Sequence, residues 1–160
     1  MSQILLYLVD DDEVDREMII KSLTQLDAEI DEAGTGQEFL DNVKKKAYDL
    51  LLIDYKLPDC TGFDIAKEVR RLGVNTTMIL ITGLGSEQLE QQSRAAGFLG
   101  YVQKDQITPM LVMTVLLKAF QEFQSEVQTQ SEQAINKLTA IQAEIRERIN
   151  FYDQNHSPEL

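Results

Sequence analysis

Short apolar runs alternate with longer amphipathic stretches along this chain. Three of the runs consist mainly of Ile, Leu and Val without polar alternation, which is typical of parallel strands covered on both faces. The predicted strands are Ile4–Val9, Glu29–Ala33, Asp49–Ile53, Thr77–Ile81 and Leu99–Val102. The predicted helices between them are approximately Val14–Leu26, Gly36–Lys46, Gly62–Leu72 and Ser86–Ala96.

This alternation predicts an α/β fold of the flavodoxin-like type. The arrangement is a (βα)5 doubly wound parallel sheet with right-handed crossovers and strand order 2-1-3-4-5. In such sheets ligands bind beyond the carboxyl ends of the strands, at the switch point between strands 1 and 3. We therefore expect the chemistry of this protein in the residues that follow the central strands.

An extended C-terminal helix is predicted after the fifth strand. Thr108 and Pro109 suit a helix start, and no Gly or Pro interrupts the chain from Met110 to about Tyr152. Apolar residues then recur at intervals of three and four, apart from a gap across Gln130. They are Phe120, Phe123, Val127, Ala134, Leu138, Ile141, Ile145 and Ile149. A parallel coiled coil between two copies is the preferred interpretation. A helix folded back on its own domain and a frayed polar tail stay open.

Composition narrows the function classes. The 15 Lys and Arg residues face 27 Asp and Glu residues, and a net charge of −12 argues against direct binding of nucleic acid. The single Cys60 cannot form an internal disulfide, which favours a reducing, cytoplasmic setting. No apolar run reaches the roughly 18 residues that span a bilayer, and the N-terminus lacks the basic region of a signal peptide. We expect a cytoplasmic protein that acts away from membranes.

Polar residues follow the central strands. Asp10–Asp12 come after strand 1, Asp54 after strand 3, Thr82 after strand 4 and Lys104 after strand 5. Grouped carboxylates suit Mg²⁺, which prefers oxygen ligands, while an ammonium and a hydroxyl suit phosphoryl oxygens. The aspartates after strand 1 also fit as helix caps, and Asp12 is assigned that role.

In this order and at these separations, the residues resemble the receiver domain of two-component response regulators. The resemblance covers about residues 3–123, and it implies that Asp54 is the phosphorylated residue. It further implies that Asp10, Asp11, Asp54 and the main-chain carbonyl of Lys56 hold Mg²⁺. The loop "LPDCTG" at residues 57–62 matches the Pro- and Gly-containing loop that follows the acceptor in this family.

The resemblance also implies roles for three residues of the later strands. Lys104 matches the invariant lysine that acts in phosphoryl transfer together with Asp54. Thr82 matches the switch hydroxyl, and Tyr101 the aromatic switch. Phosphorylation would then be transmitted through the face formed by helix 4, strand 5 and helix 5, and through the C-terminal helix.

The implied function is that of a phosphoacceptor in a bacterial two-component phosphorelay. A histidine kinase or phosphotransfer protein would donate the phosphoryl group, and the chain would be a signalling receiver rather than an enzyme. The expected divisions are a receiver domain at 1–123, a helical extension at 124–152 and a polar tail at 153–160. The chain is either a stand-alone receiver or the first part of a longer protein.

The sequence departs from the family pattern at two places. Asp105 stands where a proline usually follows the lysine, so we expect a trans bond after Lys104 or a strained cis bond, which costs about 2.5–4 kcal/mol without proline. Lys56 and Leu84 occupy the two variable positions that flank the phosphate.

Two other functions remain as alternatives. A phosphorylation-independent interaction or dimerisation module is one. A Mg²⁺-dependent phosphatase with Asp54 as nucleophile is the other, but it usually needs an acid two residues later, where this chain has Lys56.

Overall fold

The structure, a computed structural model, describes residues 3–156. Within these residues, five strands alternate with five helices. The strands are β1 (Ile4–Val9), β2 (Ala28–Ala33), β3 (Leu50–Asp54), β4 (Thr77–Thr82) and β5 (Gly100–Gln103). The helices are α1 (Glu13–Ser22), α2 (Gly36–Asn42), α3 (Gly62–Arg71), α4 (Glu87–Ala95) and α5 (Pro109–His156). A 3₁₀ turn at Lys104–Gln106 joins β5 to the segment before α5.

The strands form one parallel sheet in the order β2-β1-β3-β4-β5. The predicted flavodoxin-like topology is confirmed. The strand β2 lies on one side of β1, and β3, β4 and β5 follow on the other side, so the order of strands changes direction between β1 and β3. At this boundary Val9 pairs with Ile53. The carboxyl ends of these two strands therefore lie side by side at the switch point.

Each central strand is apolar on both faces because both faces are covered by helices. Tyr7 and Val9 of β1 belong to one apolar cluster, with residues of α2, α3 and α4, whereas Leu6 and Leu8 belong to a second cluster with residues of α1 and α5. Burial of each such large side chain contributes about 1.5–3 kcal/mol. The continuous apolar runs of the sequence thus reflect a sheet with two buried faces.

Several helices are shorter than the sequence predicts, and α1 and α2 each end four residues early, α2 at Asn42 rather than at Lys46. The end of α1 has a clear local cause. This helix ends at Ser22 rather than at Leu26. The hydroxyl of Ser22 donates to the carbonyl of Ile19, and that of Thr24 donates to the carbonyl of Lys21. These side chains satisfy carbonyls of the last turn, and the chain turns toward β2. The apolar residues of this turn extended the helical pattern beyond the helix.

The chain forms two compact units, Met1–Ala119 and Phe120–Leu160, with the division inside α5. The predicted limits at 123 and 152 stay a prediction. In the second unit, side chains along α5 are about half exposed. They include Phe123, Val127, Leu138, Ile141, Ile145 and Ile149. Residues 153–156 of the predicted polar tail continue α5, and 157–160 lie outside the described residues. None of the helices within residues 3–156 is long and apolar enough to cross a membrane.

Candidate functional site

The carboxyl edge of the sheet carries acidic side chains from two adjacent strands. Asp54 is the last residue of β3, and Asp10 directly follows the last residue of β1. The backbone is tightly packed below them, since a Cβ on Gly62 would lie 2.8 Å from the carbonyl oxygen of Asp54. A side chain at position 62 would displace the end of β3, so glycine allows α3 to start against it.

Three of these carboxylates form a compact group. Asp10, Asp11 and Asp54 each offer an oxygen within 4.8 Å of the others. Asp10 is fully buried and Asp54 nearly so, whereas Asp11 is exposed. Like charges at such distances repel in a partly buried setting, so the group requires a compensating positive charge.

Lys104 supplies part of that charge. Its Nζ lies 2.6 Å from Oδ2 of Asp10, 2.7 Å from Oδ2 of Asp15 and 3.1 Å from Oδ2 of Asp54. All three contacts are ion pairs, and those with Asp15 and Asp54 are also hydrogen bonds. The four-residue strand β5 thus brings an ammonium to carboxylates that are 50 to 94 residues away in the chain.

Lys104 reaches the site without a proline after it. Every peptide bond in the described part of the chain is trans, including the bond from Lys104 to Asp105. A short 3₁₀ turn begins at Lys104 and directs the chain away from β5. Of the two geometries expected for this bond, the structure has the trans one.

The electrostatics of the site follow from burial and these charges. Burial, together with the charge of Asp10, raises the pKa of Asp54 to about 6 against the opposing effect of Lys104. Burial acts to lower the pKa of Lys104, but ion pairs with Asp10 and Asp15 and the charge of Asp54 outweigh it, so this pKa is raised. Near neutral pH, Asp54 is therefore mainly an anion beside a fixed ammonium.

The donor set fits a hard divalent cation. The buried Oδ2 of Asp10 pairs with Lys104 but accepts no hydrogen bond within residues 3–156, and Oδ1 of the same side chain accepts the amide of Asp12 at 2.9 Å. Opposite ligands of octahedral Mg²⁺ lie about 4.1 Å apart, within the span of the three carboxylates. Asp10, Asp11 and Asp54 would hold such an ion, with its remaining positions open to water and phosphate.

The loop after β3 places Lys56 beside the acceptor candidate. Lys56 is exposed, and its amide lies 3.5 Å from Oδ1 of Asp54, which is a long and weak hydrogen bond. The segment is closed by a bridge between Lys56 and Thr61. The carbonyl of Lys56 as a metal ligand stays a prediction.

Thr82 and Tyr101 are held by the segment between β4 and α4. The Thr82 hydroxyl donates to the carbonyl of Leu84 at 3.0 Å, and the Tyr101 hydroxyl accepts the amide of Ser86 at 2.9 Å. Thr82 is buried, while Tyr101 packs against the apolar cluster with its side chain partly exposed. Their switch roles are not tested by this arrangement and stay a prediction.

Sequence reasoning missed two residues at the site. Asp15, in the first turn of α1, hydrogen-bonds Lys104, and Arg16 donates from Nη1 to the carbonyl of Asp10 at 2.7 Å. The available signal was their place in the first turn after the acidic pair. For Asp15 that signal is weak, because acidic residues are common at helix starts for their interaction with the helix dipole.

Comparison with known proteins identifies the family. Residues 6–116 match the response regulator receiver domain. The protein named uncharacterized transcriptional regulatory protein YxjL, from Bacillus subtilis, is 24% identical over 135 residues, covering 75% of this chain and 62% of its own. Transcription factor prr1 from Schizosaccharomyces pombe is 36% identical over 75 residues, covering 47% of this chain and 14% of its own. The chain thus spans less than two thirds of the length of either relative.

Solved structures give the same result. The CheY-like response regulator receiver domain protein from Methanospirillum hungatei JF-1 is 26% identical, with a TM-score of 0.65 over 78% of this chain and 99% of its own. Together with the sheet order and the extent of the family match, this likeness leads to one conclusion. The chain belongs to the family of response regulator receiver domains, the signalling modules of two-component systems.

Proposed function

We propose that this chain is phosphorylated on Asp54 in a Mg²⁺-dependent phosphorelay. The observation that carries the proposal is the position of Lys104, whose Nζ lies 3.1 Å from Oδ2 of Asp54 while it pairs with Asp10. An ammonium held beside a largely ionised carboxylate, at the switch point of the sheet, is the arrangement that phosphoryl transfer to a carboxylate requires.

The reaction forms one bond and breaks another. An oxygen of the Asp54 carboxylate attacks phosphorus, and the bond from phosphorus to the imidazole nitrogen of a phosphohistidine donor breaks. The imidazole takes up a proton as it leaves, and the product is an acyl phosphate. Lys104 turns an N–H toward the phosphoryl oxygens, where negative charge is concentrated. Mg²⁺, when bound by Asp10, Asp11, Asp54 and the Lys56 carbonyl, supplies further neutralisation of that charge.

The phosphoryl group biases a two-state switch. In the present arrangement the Thr82 hydroxyl bonds Leu84 and the Tyr101 hydroxyl bonds the Ser86 amide. A phosphoryl oxygen on Asp54 offers Thr82 a charged acceptor, which is stronger than a neutral carbonyl. Movement of Thr82 then loosens the segment before α4 and lets Tyr101 follow, so the face of α4, β5 and α5 carries the signal.

The second unit, Phe120–Leu160, transmits the signal by pairing with the same unit of a second copy of the chain. Apolar side chains of α5 such as Val127, Leu138 and Ile149 recur every eleven residues and are about half exposed. A period of eleven residues is that of a nearly straight or right-handed helical pair. A parallel homodimer through residues 124–152 would cover this stripe. The partners are therefore a histidine kinase or phosphotransfer protein and a second copy, without direct contact to nucleic acid or membrane.

Intact mass measurement after incubation with acetyl phosphate and Mg²⁺ tests the proposal. We expect one added phosphate on the wild-type chain, none on Asp54→Ala, and one on the control Asp59→Asn. Phosphate on Asp54→Ala, or no phosphate on the wild type, would overturn the proposal. Steady release of phosphate from diverse monoesters would instead support a phosphatase. An oligomeric state and spectrum unchanged by beryllofluoride with Mg²⁺ would support a phosphorylation-independent interaction module.

A further inference from the structure

Lys104 has three carboxylate partners, and they are not equivalent. Asp10 and Asp54 lie at the ends of β1 and β3, whereas Asp15 reaches the ammonium from the first turn of α1. The hydrogen bond to Asp15 is 2.7 Å, shorter than the 3.1 Å bond to Asp54. In the unphosphorylated arrangement, a carboxylate of α1 therefore lies closer to the ammonium than the acceptor carboxylate does.

Local structure fixes Asp15 in this position. Oδ1 of Asp12 caps α1 by accepting the amides of Val14 at 2.9 Å and Asp15 at 3.2 Å. The cap sets the direction of the first turn, and Asp15 is the acidic residue of that turn whose side chain meets Lys104. The contact joins residues 89 positions apart, so it depends on the fold rather than on local sequence.

The three carboxylates differ in the free energy that loss of their contact with Lys104 would cost. The side chain of Asp10 is 0% exposed and that of Asp54 is 7% exposed, but the side chain of Asp15 is 34% exposed. A buried carboxylate that loses its charged partner stays without compensation, whereas water can solvate Asp15 when the ammonium leaves. Asp15 is thus the partner that Lys104 can give up most easily.

Phosphorylation of Asp54 would require Lys104 to give up one of these carboxylate contacts. An ammonium has three N–H donors, and a phosphoryl group on Asp54 brings three strongly accepting oxygens to a site where these donors already face carboxylates. We propose that Asp15 is a positioning residue that restrains Lys104 in the unphosphorylated state and competes with the phosphoryl group for its ammonium. The inference rests on the proposed function of the Asp54 site.

Removal of the Asp15 charge should therefore strengthen the binding of a phosphoryl group, or of a mimic of it, at Asp54. Beryllofluoride, a non-covalent mimic, is titrated calorimetrically into the full chain at saturating Mg²⁺. We expect the half-saturating concentration for Asp15→Asn to fall roughly three- to ten-fold, as for loss of a competing charged hydrogen bond that is partly exposed. The acetyl phosphate concentration at half-maximal phosphorylation rate should fall in parallel, with a smaller change in the maximal rate.

Glu17→Gln is the matched control, because Glu17 is an exposed acidic residue of the same helix. It removes the same charge and should shift either concentration less than about two-fold. Asp15→Ser should shift both concentrations in the direction of Asp15→Asn. A residue with a purely structural role would give weaker or unchanged binding when replaced. Binding that is tighter for Asp15→Asn than for Glu17→Gln therefore supports the restraint.

The outcomes separate this inference from the proposed function. If the wild-type chain binds no beryllofluoride at saturating Mg²⁺, the proposed function fails, and the inference fails with it. If the wild type binds but Asp15→Asn binds no more tightly than Glu17→Gln, only the restraint by Asp15 is wrong.

Discussion

The phenolic oxygen of Tyr101 accepts the backbone amide of Ser86 at 2.9 Å. Ser86 is the N-cap of α4, and its own hydroxyl accepts the amide of Leu89 at 3.1 Å. A side chain of β5 therefore fixes the start of α4, with the ring of Tyr101 packed against the apolar cluster. The hydrogen bond links the Tyr101 ring to the start of α4, so a movement of the ring must change the position of that helix start or break the bond.

Tyr101→Phe removes this link while keeping the ring. We expect the free energy of unfolding to fall by about 0.5–1.5 kcal/mol, the usual contribution of one hydrogen bond. Hydrogen exchange of the Ser86 amide should become faster, since the amide loses its acceptor. Tyr55→Phe is the control, because the Tyr55 ring packs on Phe63 whereas the Ser86 amide bonds the hydroxyl of Tyr101. An unchanged exchange rate at Ser86 in Tyr101→Phe would contradict the link.

Gly85→Ala should disturb the hydrogen bond between Tyr101 and Ser86 by a steric clash. A Cβ at this position would lie 2.6 Å from Oη of Tyr101 and 3.0 Å from Nε2 of Gln103, so Tyr101 must move. We expect a loss of about 0.5–1.5 kcal/mol of stability in urea denaturation, because the displaced Tyr101 hydroxyl loses its hydrogen bond to Ser86. At Gly83 the same Cβ would have no neighbour within 4 Å among the described residues, and Gly83→Ala should be neutral or slightly stabilising. Equal effects of the two substitutions would rule out the steric explanation.

Mg²⁺ should stabilise the folded chain. A cation that binds only the folded state at 100 times its Kd adds about 2.7 kcal/mol, and this gain should appear as a higher melting temperature. Asp11→Asn should remove most of the gain, since Asp11 belongs to the carboxylate group. Asp12→Asn is the control, because Asn also caps helices and Asp12 is engaged with α1. If Mg²⁺ stabilises Asp11→Asn as much as Asp12→Asn, Asp11 is not a ligand.

Asp59 should contribute a stability that depends on pH. It accepts the amides of Gly36 and Gln37, both at 2.9 Å, and these hydrogen bonds hold its pKa below the usual range. A lowered folded-state pKa means that the contribution is present above the unfolded pKa, about 3.9, and is lost as pH falls through the folded value. Asp59→Asn, which keeps a single acceptor oxygen, should therefore lower stability at pH 7, by less than about 1 kcal/mol because Asp59 is exposed to solvent.

Urea denaturation of Asp59→Asn between pH 7 and pH 3 measures this dependence. The difference from the wild type should begin to shrink as pH falls below about 4, where Asp59 of the unfolded chain becomes protonated while that of the folded chain is still ionised. Asp27→Asn, at an exposed position before β2, provides the control. A difference that is constant with pH would mean that the charge of Asp59 is not involved.

The helical extension should hold two copies together. Replacing Ile141 and Ile145 by Gln puts polar groups into the apolar stripe, so we expect the chain to become monomeric in sedimentation equilibrium. Ala143→Gln, on the opposite side of α5, should leave the association unchanged. Truncation after residue 124 should also give a monomer. If the full chain is already monomeric at micromolar concentration, the proposed coiled coil is wrong.

Local patterns predicted the receiver fold well because each β–α unit has its own periodicity. Apolar runs located β1, β3 and β4 to within one residue at either end. The end of α1 was missed by four residues because Leu23 and Leu26 continue the helical spacing after the helix has stopped. Hydrophobic spacing records which side chains are buried, and the turn after α1 is buried in the same cluster.

The sequence by itself determined the strand order and the edge of the sheet at which Asp10, Asp54 and Lys104 meet, because parallel β–α units leave few topologies. Only the tertiary structure decided that Lys104 also binds Asp15 and that Tyr101 binds Ser86. Such contacts depend on side-chain reach and on how helices pack against the sheet. The distance between two side chains on different elements depends on the tertiary packing, and the periodicity of a single segment does not report it.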